Sequence, residues 1–132
     1  MKKEVKITYR GWPGHFCCGH RCVFHLNTLI EYKSIKIVVS TVGLMIDPLN
    51  KDQYKIKYSE IGCDRYFETM AFHADGEFSD ANVQQQVYFK SPWSWGLKDE
   101  MKANDGHIKV VDEIVSKLLL GETFKNDDVQ YT

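Results

Sequence analysis

The chain predicts an α+β domain, an antiparallel sheet of four to five strands packed by a C-terminal amphipathic helix. Three observations predict it. Up to about residue 90 the chain carries runs in which apolar and polar residues alternate, the two-residue period of a half-buried strand. From about Gly106 the apolar residues recur at helical spacing instead. The strand runs come first and the helix last, so nothing alternates as a parallel βαβ sheet requires.

Glu4 to Arg10 is the first strand, with Val5, Ile7 and Tyr9 on one side and Lys6, Thr8 and Arg10 on the other. Gly11-Trp12-Pro13-Gly14 breaks it, because glycine permits turn geometry and proline cannot donate to a ladder. Cys22 to Tyr32 is the second strand, with largely apolar even positions and mixed odd ones. A short turn at Lys33-Ser34 leads into the β-branched run Ile35–Leu44, and the two runs make a hairpin. Asp47 to Asp64 reads as a polar loop with a short strand at Tyr54–Tyr58. Arg65–His73 and Gln84–Lys90 are the remaining strands, separated at Asp75-Gly76 and ended by Ser91-Pro92.

In the last third Ile108, Val111, Ile114, Val115, Leu118 and Leu119 form the apolar helical stripe. Glu113 and Lys117 are a well-oriented i, i+4 pair, and Gly121 suits a C-terminal cap. Asp105 is a candidate N-cap, with an earlier start near Leu97 as the alternative. Residues 1–122 form one domain and 123–132 a frayed tail. One helix leaves the second face of such a sheet uncovered and open to another protomer.

With 132 residues, 43% apolar and 27% charged, the chain is an ordinary globular mixture that needs neither disulfides nor metal to bury a core. It has no apolar run near the ~20 residues of a membrane span and no signal-peptide core, so its four cysteines are expected reduced in the cytosol. The net charge of -1 hides an asymmetry. Residues 1–36 hold seven Lys/Arg against two Glu, while 37–96 and 97–132 each hold five against eight acids. His15, His20 and His25 also lie in the basic third. A local positive surface on a neutral chain suits a small anion better than a long polyanion, although charges spread evenly around the surface would attract nothing.

The densest polar cluster is His15-Phe16-Cys17-Cys18-Gly19-His20-Arg21-Cys22, with His25 beyond it. Thiolate and imidazole favour zinc, but all these groups fall within eleven positions, and Cys63 is the one distant thiol. A strand through 22–25 would also turn Cys22 and His25 to opposite faces. Buried, inert cysteines are the simpler reading. Cys17 or Cys18 with His20 would make a nucleophile, yet no third residue orients them. No glycine-rich phosphate loop is present, so neither a catalytic set nor a metal or cofactor site is assigned.

A nucleotide pocket needs flat aromatic faces for bases and cationic donors for phosphates. The chain holds these parts. Trp12, Phe16, Trp93 and Trp95 lie in turns and would stack on bases. Arg10, Arg21, His25 and Arg65 would hold phosphates, and Asn104 and Asp105 would read ribose or base edges.

The run from Arg10 to Tyr32 belongs with four further stretches: Lys36-Ile-Val-Val-Ser-Thr-Val-Gly43, Arg65-Tyr-Phe-Glu-Thr-Met-Ala-Phe72, Ser91-Pro-Trp93 and Lys102-Ala-Asn-Asp105. Together they resemble a family of small phage and prophage proteins, the Thoeris anti-defence sponge proteins, over nearly the whole chain. The resemblance implies a non-enzymatic homo-oligomer that sequesters cyclic ADP-ribose isomers made by bacterial TIR-domain defence proteins, with ligand at protomer interfaces. Some members also hold cyclic trinucleotides, so cyclic oligonucleotides are further candidate ligands here. It implies no cofactor, no membrane and no nucleic-acid polymer. The site residues above rest on their own chemistry, and two rivals stay open: a Cys/His or zinc-dependent enzyme acting on a nucleotide, and an inhibitor that binds a host protein.

Overall fold

A computed structural model describes residues 5–10, 22–52, 54–59, 66–76, 79–89 and 100–124. The strands are β1 (Lys6–Tyr9), β2 (Cys22–Tyr32), β3 (Ile35–Ile46), β4 (Tyr58–Ser59), β5 (Phe67–Asp75) and β6 (Asp80–Phe89), followed by α1 (Glu100–Leu119). All described pairings are antiparallel, and the sheet order is β1-β2-β3-β5-β6, with the two-residue β4 on the end of β3. The α+β reading holds. The expected strand at Tyr54–Tyr58 shrinks to β4, because the polar residues before it bond within their own loop.

Register explains the two faces. Thr28 pairs with Val39, Ile30 with Ile37, and Val39 in turn with Ala71. These residues face α1, where Ile30, Tyr32, Ile37, Val39 and Ala71 bury against Val110, Val111, Ile114 and Leu118. Alternation sends their neighbours Asn27, Leu29, Val38, Ser40, Val42 and Phe72 to the far face. Those six are buried too. The expectation of an uncovered second face therefore fails. Part of the cover is the β5–β6 turn, which Arg10 and Lys36 tie down through Ser79.

Local chemistry sets the bends. Lys33 takes φ 56° at the first position of the two-residue turn that joins Tyr32 to its partner Ile35. β3 follows β5 as far as the pair Gly43–Phe67, then Leu44 turns to φ 54° and the strand goes on to pair with β4. Gly43 is there for space. A Cβ on it would stand 2.3 Å from Phe67 Cδ1 and 2.7 Å from the Tyr66 carbonyl oxygen. The Phe67 ring that fills this room meets Phe24 edge-on, with centroids 5.1 Å apart.

The helix begins at Glu100, so Asp105 lies inside it and caps nothing. Its buried stripe is Ala103, Gly106, His107, Val110, Val111, Ile114 and Leu118. Ile108 and Leu119, expected on that stripe, are exposed, because the true stripe runs one position to their side. Gly121 caps the helix as expected, at φ 97°, with its N–H on the Leu118 carbonyl and the Glu122 N–H on that of Lys117. The Glu113–Lys117 pair forms at 3.5 Å. The domain then runs past residue 122. Phe124 is buried in the main core, and the His73 Nε2–H donates to its carbonyl.

Candidate functional site

The far face carries the polar cluster with the clearest potential to bind. Asn27 sits in mid-β2, only 2% exposed, and its neighbour across the ladder is the fully buried Ser40. Arg10, just past β1, donates its backbone N–H to the Asn27 carbonyl at 2.6 Å and its Nε–H to Asn27 Oδ1 at 2.8 Å. The same guanidinium donates to the Ser79 carbonyl at 3.1 Å. Lys36 comes from β3, on the other side of β2, and its Nζ reaches the Ser79 hydroxyl at 3.5 Å. Two cations from separate strands thus meet at one residue of the β5–β6 turn. Ser79 holds a left-handed φ of 52°, which an L side chain adopts at some cost.

His25 lies on this face as well, two residues before Asn27 and opposite Val42, whose partner on β5 is Glu68. Its Nε2–H donates to the Cys22 carbonyl at 2.5 Å. Burial holds its pKa below the usual histidine value, and the Cys22 carbonyl offsets part of that. The arrangement brings a part-buried guanidinium and an exposed ammonium to one turn, cationic chemistry of the kind that attracts an oxygen-rich anion.

The other polar cluster lies on the helix face, and the sequence reading missed it. His107, 2% exposed, bonds Thr28 Oγ1 through Nε2 and Thr41 Oγ1 through Nδ1, both at 2.7 Å. Thr41 bonds Thr69 at 2.7 Å. All three threonines are fully buried. Either tautomer of a neutral imidazole completes this chain with one donor per contact. Burial lowers the His107 pKa to about 4. The network is closed on itself, so it specifies how α1 sits and offers nothing to a ligand. The signal was present in the sequence: a histidine seven residues before Ile114 and four after Ala103, on one helical face.

Of the expected site residues, Arg10 and His25 fall together on the far face. Asn104 and Asp105 are exposed on α1, across the sheet from both, so they do not join that cluster. Trp12, Phe16, Arg21, Arg65, Trp93 and Trp95 lie outside the described residues, as do His15, Cys17, Cys18, His20 and Cys63. Cys22 is buried. Among the described residues no three His, Cys, Asp or Glu side chains gather as a metal site. No described helix is long and apolar enough to cross a membrane. An open depression of about 390 Å³ lies at the helix C-terminus, lined by Lys117 and residues 120–123, away from the far-face cations. Compared with known proteins, the chain matches no family model, no curated protein and no solved structure.

Proposed function

We propose that this protein binds a small phosphate-bearing signal of the cyclic nucleotide class and sequesters it uncleaved, as its likeness to the Thoeris sponge proteins implies. The observation that carries the reading is the meeting of Arg10 and Lys36 at Ser79, above the buried Asn27 and on the sheet face that also carries His25. A guanidinium matches the spacing of two phosphate oxygens and an ammonium adds a point charge; Arg10 is part-buried and Lys36 is exposed. Arg21 and Arg65 would add phosphate contacts and Trp12, Phe16, Trp93 and Trp95 base stacking. In this reading the chain works as a homo-oligomer in the host bacterial cytosol and needs no cofactor. Asn104 and Asp105 have no part in it.

Native mass spectrometry with a panel of cyclic ADP-ribose isomers and cyclic oligonucleotides tests this. The expected result is ligand bound at a fixed ratio and recovered unchanged after denaturation. Recovery of a cleaved product would replace the binder with an enzyme. Indifference to the whole panel would overturn the reading.

A further inference from the structure

We propose that the loop between β3 and β4 docks onto the outer face of α1 of a second copy of this chain, making a head-to-tail contact. The loop is built rather than slack. The Asp47 N–H donates to the Lys57 carbonyl at 2.9 Å, and the Lys57 N–H donates to Asn50 Oδ1 at 2.8 Å, closing the loop twice at its neck. Asp47 and Asp52 turn their carboxylates back onto the Leu49 and Tyr54 N–H groups at 2.8 and 2.9 Å. What the loop shows to solvent is apolar and, with three lysines against the exposed Asp52 and the part-exposed Asp47, net basic. Leu49 is 83% and Tyr54 89% exposed, with Ile56 beside them, and Lys51, Lys55 and Lys57 are exposed as well. A preordered loop loses little freedom on docking, and large apolar side chains held in water are ready anchors.

The matching surface is the side of α1 turned away from the sheet. Met101, Asp105, Ile108, Asp112 and Leu119 recur at spacings that keep them on one stripe along the helix. Met101 is 82% exposed, Leu119 48% and Ile108 39%, and both aspartates are exposed. One surface is apolar with lysines, the other apolar with aspartates. Each stays exposed within its own chain, so neither is covered by the other in the same protomer. A contact of unlike surfaces between copies repeats until it closes as a ring or runs on as a filament. This contact does not depend on the ligand reading, because the mass of the unliganded protein reports it.

Charge reversal tests it, with sedimentation or native mass spectrometry of the full chain as readout. Asp105→Lys with Asp112→Lys reverses the helix, and Lys51→Glu with Lys55→Glu reverses the loop. Each double variant alone should be monomeric, with self-association weakened by about tenfold or more where like charges now face each other. Mixing the two restores opposite charge at each contact between unlike variants, so association should return. A monomeric wild type, reversed variants that keep the wild-type mass, or a mixture that stays monomeric would each overturn the proposal.

Discussion

The two faces of the sheet both bury polar groups, and they treat them differently. On the helix face, His107 and three threonines form a network with neutral members and partners for both ring nitrogens. On the far face, Asn27 and Ser40 are as deeply buried, but Asn27 is held by Arg10, which meets Lys36 at Ser79. The same strands supply both sets by alternation: Thr28 and Thr41 face one way, Asn27 and Ser40 the other. The difference teaches where to look for binding. A closed neutral network stabilises a unique packing, whereas cations meeting at a turn supply a field that an anion can use.

The largest effect expected is on the helix face. Ile114 is fully buried among β-sheet side chains, so Ile114→Ala should lower unfolding stability in urea by about 2–5 kcal/mol. Ligand affinity of the folded fraction should be unchanged, because α1 is not part of the proposed site.

A pH titration sharpens the contrast next. His107 binds a proton at about pH 6.5 when unfolded but only near pH 4 when folded. The unfolded state therefore holds more protons across that window, and stability falls as pH drops through it, by about 3 kcal/mol in all. Below about pH 4 both states are protonated and this contribution levels off. The imidazolium could still donate to both threonines, so desolvation of the charge is the cost, not a lost hydrogen bond. Urea melts between pH 7 and 4 should show this slope in the wild type. His107→Leu should be less stable at pH 7 and should lose most of the slope.

On the far face the effects are on binding. Arg10→Ala should weaken ligand affinity by about 1.5–3 kcal/mol, the range for hydrogen bonds to a charged group, measured by titration calorimetry. Lys36→Gln keeps the length and removes the charge, and should cost affinity about 1 kcal/mol with little change in stability. The smallest effect lies on neither face. Lys33→Gly relieves the left-handed residue in the β2–β3 turn and should raise stability by about 0.5–1 kcal/mol, leaving binding alone.

Much of the fold was legible in the sequence because two periods write it. β2 was read to the residue, and the hairpin turn, the Gly121 cap and the Glu113–Lys117 pair came from local rules that need no tertiary information. Ile108 and Leu119 show where such rules end. An apolar residue at the border of a stripe looks the same in sequence whether it faces the sheet or solvent. The far face shows it more strongly. Asn27 is one of the mixed odd positions of the second strand, yet it is buried, because Arg10 and a turn 69 residues further on close over it. That contact has no sequence period. Arg10 and His25 share one sheet face and Asn104 and Asp105 lie on the helix across from it, a division that chemistry without topology cannot give.

In the proposed function the far face binds the anion while the helix face only holds the fold. The most direct test is calorimetric titration of a cyclic ADP-ribose isomer into Arg10→Ala and into Ile114→Val, a mild helix-face change. Affinity lost in Arg10→Ala and kept in Ile114→Val is the predicted result. Wild-type affinity in Arg10→Ala, or equal losses in both, would contradict it.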